Sequence, residues 1–363
     1  MYLDKLIKER NLPSVPDREK ILEILQENAY GFQPNVAYSV KISEPKIIDK
    51  RLASGSVEIS TVTMTVTTEY GSHSFDILQE IHNDGQKHPF FVFVNFHPGL
   101  ASLYYPMEEI ADGGFDVFSV CYKDVTSDDG NFENGLARIL LPNGQENGST
   151  CGKIGLWAFA AMRILDYALT LPSVDPDNAA VIGHSRLGKT ALLAGMLDTR
   201  FKYVISNDSG CCGAALNRGN TGLEKITGDT QKGETITDIT NRFPYWFCKN
   251  IQKYRETNIP DCYDQHFLLA SIAPRFVYVA SADMDGWAAP DSEFLSCVAA
   301  SEVYERLGIT GLVHNCVIPK GGDTLPSGRI GYHRRHGLHF LSRYDWNRYM
   351  EFIKLHEKDN KNV

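Results

Sequence analysis

Residues 178–190 read Asn-Ala-Ala-Val-Ile-Gly-His-Ser-Arg-Leu-Gly-Lys-Thr, and few chain arrangements accommodate such a run. A short apolar stretch, Ala179 to Ile182, breaks at Gly183, and Ser185 follows two residues later. Gly188 then opens a helical pattern through Ala191, Leu192, Leu193 and Met196. A strand turning sharply into a helix lifts a serine oxygen clear of a sheet, the layout of a nucleophile elbow. The strict elbow has glycine two residues after the serine, where Leu187 stands here and the glycine has moved to 188. Gly183 to Thr190 also match the phosphate-loop pattern G-x-x-x-x-G-K-[ST], in which Lys189 would meet phosphates and Thr190 magnesium. That loop also calls for an acidic strand end, which Val204 to Asp208 imitates.

Residues further along separate the two chemistries. Arg275 to Ala282 is a buried-strand pattern that runs into Asp283, Met284 and Asp285. About fifty residues on, Gly331 to His339 reads as a polar, glycine-punctuated loop before the last helix. Serine after a mid-chain strand, acid after a later strand and histidine near the C-terminus is the α/β-hydrolase order. Ester cleavage needs an imidazole to take the hydroxyl proton and a carboxylate to fix its tautomer. A phosphate loop has no use for such a histidine.

The run Gly183-His-Ser-Arg-Leu-Gly-Lys189 resembles the G-[CH]-S-R-x-G-K signature of the glucuronoyl esterases, carbohydrate esterase family 15. The similarity continues through Ser206 to Leu216, Gly233 to Ile236, Phe243 to Phe247, Asp264 to His266, Ile272 to Arg275, Tyr278 to Trp287 and Gly331 to His333. Residues 150–357 carry it well and the first 150 loosely. Ordered blocks are far more specific than any single one.

By that resemblance Ser185 matches the family nucleophile, His339 the general base, and Arg186 the arginine that helps hold the oxyanion. Lys189, Glu234 and Trp287 match residues that contact the uronic-acid sugar. Family members place the triad acid at either of two strand ends, and both Asp208 and Asp285 stand at such positions. Asp208 is one methylene shorter than the glutamate usual there, so Asp285 is expected to be the main partner of His339. His333 and His336 are neighbouring rivals for the base. His97, in the segment Phe93 to Gly99, offers a further candidate near the oxyanion. Residues 218–232 are extra polar sequence, expected near the sugar site.

The implied activity is that of a serine carbohydrate esterase acting on a glucuronoyl (4-O-methylglucuronate) ester through an acyl-enzyme. No metal or organic cofactor is implied, and the partner is a small-molecule or oligosaccharide ester. Removal of acetyl or another acyl group from a sugar would use the same mechanism. Two other classes are a nucleotide-binding phosphate-loop protein and a sugar-binding protein on an inactive hydrolase fold.

Composition is compatible with this reading. A chain of 363 residues, 43% hydrophobic, can bury a large core as one domain over 1–363. A net charge of −9 argues against nucleic acid, whose phosphates call for Lys and Arg. No apolar run approaches the ~20 residues of a membrane span. The charged start, Met1 to Arg10, lacks the apolar core of a signal peptide, so a cytoplasmic location is expected. The eight cysteines form no metal spacing and are expected reduced in the core, with Cys211-Cys212 the one vicinal pair.

The expected architecture is an α/β-hydrolase three-layer sandwich, with a mostly parallel central sheet and an antiparallel N-terminal hairpin. Residues 55–80 alternate around Tyr70-Gly71-Ser72 and predict that hairpin on the sheet edge. Pro89 to Phe96 and Phe115 to Tyr122 predict central strands. Helices are expected over 17–28, 152–171 (stopped by Pro172), 188–197, 291–307 and 343–357.

Overall fold

The computed structural model describes residues 2–100, 102–219 and 233–357, together with the backbone of 224–226 and 229–231. Of the 218–232 insertion expected near the sugar site, residues 220–223, 227, 228 and 232 lie outside the described residues.

The described residues form thirteen strands: β1 Ser39–Ile42, β2 Lys46–Asp49, β3 Val57–Thr68, β4 Gly71–His82, β5 His88–Asn95, β6 Asp116–Cys121, β7 Val174–His184, β8 Tyr203–Asn207, β9 Glu224–Ile226, β10 Asp229–Gln231, β11 Phe276–Ala282, β12 Thr324–Leu325 and β13 Ile330–Arg335. Eleven form one sheet in the order β1-β3-β4-β6-β5-β7-β8-β11-β13-β12, with β2 also on β3. From β6 to β13 every pairing is parallel. The N-terminal part is antiparallel.

Strand β5 explains the layering. It is apolar on both faces, the mark of a strand covered on both sides. Phe90, Val92 and Val94 join one core cluster, with Trp157 and Leu192 from the helices Lys153–Ala168 and Arg186–Leu197. Phe91 and Phe93 point the other way, into a cluster containing Trp346 and Phe352 of the helix Arg343–His356. Both rings meet Trp346 edge-on, at 5.1 and 5.2 Å, contacts worth ~0.5–1.5 kcal/mol each beyond their buried area. Helix, sheet and helix thus make three layers.

The hairpin β3–β4 shows period-two patterning. Val62, Met64 and Val66 are buried, while Thr63, Thr65 and Thr67 pair across the open face with Asp76, Ser74 and Ser72 at 2.6–2.9 Å. The hairpin was expected at the sheet edge, but it lies one strand in: β1 and β2 pair with β3 on its outer side.

Two expectations need correction. The helix after Gly152 ends at Ala168 rather than at Pro172. Its last turn tightens, Thr170 N bonding Tyr167 O and Leu171 N bonding Ala168 O at 2.9 and 3.0 Å, since a residue before proline avoids helical geometry. More consequentially, residues 330–335 are not loop but β13, parallel to β11. Its polar residues disguise it in the sequence. His333 is fully buried yet satisfied by Tyr278 OH and Asp345, so the strand needs no apolar run.

Candidate active site

Four strand ends bring the chemistry together. Ser185 directly follows β7 and Asp208 directly follows β8, while Asp285 comes shortly after β11 and His339 shortly after β13. These are the carboxyl ends of adjacent parallel strands, where open α/β sheets bind ligands.

Ser185 is the single residue between β7 and the helix Arg186–Leu197, with φ 57° and ψ −126°, a conformation costing ~1–3 kcal/mol in a non-glycine residue. It is tied down by its N–H to Asn207 O at 2.8 Å and by its carbonyl, which accepts from Gly188 N and Lys189 N. Gly183 is obligatory, because a Cβ there would lie 2.0 Å from Leu187 O. The displaced second glycine also has a reason. Leu187 is fully buried in the core, and the close approach falls at 188, where a Cβ would come within 3.1 Å of Ser206 Oγ and Ser209 Cβ. Gly183→Ala is therefore expected to destabilise the fold by ~3 kcal/mol, the upper end for overpacking, and Gly188→Ala by clearly less. Urea midpoints measure this ranking; a wild-type midpoint for Gly183→Ala would contradict it.

His339 Nδ1 donates to Asp285 Oδ2 at 2.6 Å. The other oxygen, Oδ1, accepts from Ala288 N at 3.4 Å, so one carboxylate both caps a short turn and meets the imidazole. Asp208 is differently placed. Its Oδ2 accepts from Arg335 at 3.2 Å, and its Oδ1 is buried with no hydrogen bond among the described residues. A nitrogen of His339 and one oxygen from each of these two acids lie within 4.8 Å of one another. Burial, then the nearby Asp285 carboxylate, pushes the Asp208 carboxyl well above its usual range. Glu293 braces the Asp208 turn from below. It accepts from Gly210 N at 2.9 Å and Ser281 Oγ at 2.6 Å, and its burial raises its carboxyl to about 7. The rival histidines stand elsewhere: His333 is the buried strand residue described above, and the exposed His336 meets Asp283 at 2.8 Å. His97 is exposed and stacks on Tyr104.

Ser185, Arg186, Lys189, Asp208, Glu234, Asp285, Trp287 and His339, singled out from sequence, all line one hollow of about 360 Å³. The Arg186 guanidinium is wedged among Trp246, Phe243 and Phe96, with its carbon 4.6, 5.2 and 5.6 Å from the ring centres, and it is ion-paired with Asp128. Its Nε is buried with no hydrogen-bond partner among the described residues, an unused donor beside the serine. Lys189 donates to Ser209 O. Thr190 is fully buried, with its hydroxyl bonded to Arg186 O at 3.1 Å. Neither residue is presented as a phosphate loop would present it. Glu234 is 7% exposed; burial raises its carboxyl, opposed by nearby Lys189. Its N–H bonds Trp287 O at 2.9 Å.

Sequence reasoning assigned no role to Arg242, Phe243, Trp246 or Asp128. The first three line the hollow, with Phe243 and Trp246 stacked at 3.8 Å; the two rings lie in the Phe243–Phe247 block that carries the resemblance, and Arg242 just before it. Asp128 accepts from Trp246 Nε1 at 2.7 Å as well as from Arg186, and nothing in its local sequence marks it. His184, beside the serine, donates through Nδ1 to Asn207 Oδ1 at 2.6 Å and lies 4.4 Å from the His339 ring centre. Burial holds it well below the ordinary histidine range, hence neutral. All eight cysteines are free thiols, with Cys211 and Cys212 Sγ 3.7 Å apart. No helix among the described residues is long and apolar enough to cross a membrane.

The model of the fungal glucuronyl esterase family matches residues 64–308, more than half of the chain. A carbohydrate esterase, MZ0003, from an unknown prokaryotic organism is 38% identical over 261 residues, covering 71% of this chain and 57% of the relative. A 4-O-methyl-glucuronoyl methylesterase of Phanerochaete chrysosporium is 32% identical over 173 residues, covering 47% of this chain and 36% of the relative. The chain thus spans about half the length, or less, of these relatives. The solved glucuronoyl esterase from Solibacter usitatus superposes with a TM-score of 0.82 at 28% identity, over 93% of this chain and 91% of that one. The ordered sequence blocks, the α/β-hydrolase sheet and the family match converge: the chain belongs to the glucuronoyl esterases, carbohydrate esterase family 15.

Proposed function

We propose that the protein is a serine carbohydrate esterase that hydrolyses a glucuronoyl ester through a Ser185–His339–Asp285 triad. One observation carries this reading: the 2.6 Å contact between His339 and Asp285 at a hollow that Ser185 also lines. His339 Nε2 takes the Ser185 proton as Oγ attacks the ester carbonyl. The C–O bond to the alcohol then breaks, and the imidazolium returns the proton to the departing oxygen. Water, deprotonated by the same nitrogen, cleaves the acyl-enzyme to the uronate and free Ser185. Asp285 holds the Nδ1–H tautomer and steadies the imidazolium. The backbone N–H of Arg186, at an uncapped helix start, and its guanidinium hold the oxyanion, at ~3–4 kcal/mol per donor.

The hollow suits a uronic sugar. Trp287, Phe243 and Trp246 offer apolar faces, while Lys189, Arg242 and Glu234 supply the few polar groups that set orientation in such pockets. The relatives' names point to the same substrate class. The purified chain is expected to turn over a benzyl ester of glucuronic acid faster than an acetylated sugar. A faster acetyl ester would overturn the acyl assignment, and no turnover of either would overturn the esterase reading.

A further inference from the structure

Arg335 ends β13 and is nearly buried, 7% exposed. Its guanidinium meets five acceptors. Nε donates to Asp345 Oδ2 at 3.1 Å, and Nη1 to His336 O at 3.3 Å. Nη2 serves Asp208 Oδ2 at 3.2 Å, Leu338 O at 2.7 Å and Phe340 O. Three of the five are main-chain carbonyls of the segment that carries His339, and Leu338 and Phe340 are its immediate neighbours.

The start of that segment has other anchors. Met284 N bonds Gly337 O at 3.0 Å, and Gly337 N bonds Asp283 Oδ1 at 2.9 Å. For the backbone of residues 338–341, the two bonds from Arg335 are the only ones among the described residues. A guanidinium can span this set because its five N–H donors form a rigid planar fork. Two buried carboxyl groups also accept from it: Asp345, which caps the last helix through Ser342, and Asp208.

We infer that Arg335 is the positioning residue of His339, and that Asp208 acts on the site through Arg335 rather than by orienting the imidazole. The inference rests on the esterase reading above. Arg335 holds the carbonyls of the residues before and after His339, Asp285 holds the ring, and Asp208 supplies a buried acceptor that keeps the guanidinium turned toward the loop. This gives the second acid a function that does not need the methylene it lacks.

The test compares the wild-type chain with Arg335→Lys and Asp208→Ala by steady-state kinetics on the benzyl glucuronate ester. Backbone hydrogen exchange over residues 336–341 is followed in parallel. Lysine keeps the charge but cannot reach both flanking carbonyls, so kcat is expected to fall about 100-fold, the scale of a 1 Å misplacement, with KM nearly unchanged. Exchange at 336–341 should quicken while the helix Arg343–His356 stays protected. A folded Arg335→Lys enzyme with wild-type kcat would overturn the inference. If that variant does not fold, Asp208→Ala, which removes the acceptor altogether, decides: faster exchange at 336–341 supports the clamp and unchanged exchange refutes it. A wild type inactive on every ester would defeat the esterase reading, and the exchange comparison would then judge the clamp alone.

Discussion

Ser185→Ala is expected to lower kcat by ~10⁶, the cost of deleting the nucleophile of an assembled triad, and to leave the unfolding midpoint close to that of the wild type. Alanine keeps the same Cβ in the same left-handed turn, so neither the strain nor the bonds from Ser185 N and O change. Ser185→Gly separates catalysis from strain. It is equally inactive but relieves a conformation costing ~1–3 kcal/mol, of which ~0.5–1 kcal/mol returns as glycine's backbone entropy. That variant should therefore unfold at higher urea than the wild type. Activity above a few per cent in pure Ser185→Ala would remove Ser185 from the mechanism.

Asp285→Asn is expected to lower kcat by ~10⁴, because an amide in place of the orienting acid favours the wrong imidazole tautomer. Asp285 Oδ2 lies 2.6 Å from His339 Nδ1, within the ~2.6–3.2 Å that such a contact requires. Asp208→Asn should cost far less, since its bonded oxygen faces Arg335 and an amide oxygen can still accept there. Rates measured across pH for both variants keep a displaced optimum from being mistaken for a lost residue. A larger loss at 208 than at 285 would reverse the assignment of the triad acid.

The two acids mark where local reading stops. Asp208 and Asp285 each follow an apolar strand in the chain, and both end near His339. Which of them bonds the imidazole depends on how the turns after β8, β11 and β13 point, and that is decided by contacts from distant residues. Asp208 is drawn to Arg335, 127 positions away in sequence, and the turn carrying it is braced by Glu293. Arg335 itself lay hidden in a segment that reads as loop, because its buried guanidinium is met by Asp345 and Asp208, and the His333 ring by Asp345 and Tyr278, rather than by anything adjacent in the chain.

What the sequence by itself determined is the elbow turn and the chain order of Ser185, Asp285 and His339 at the strand ends. A strand, a sharp turn and a helix are specified by contiguous residues, and Gly183 is demanded by Leu187 only four positions on. The alternation in β3 and β4 and the unbroken apolar run of β5 are equally local, so hairpin and layering could be read from them. Tertiary structure alone decided the partner of His339, the clamp on its loop and the cage of Asp128, Phe243 and Trp246 around Arg186. The first and the last join residues far apart in the chain, and the clamp, local to its loop, is set by Asp208, 127 positions away; buried polar groups choose such partners by proximity in the folded sheet. Sequence periodicity carries no record of that choice.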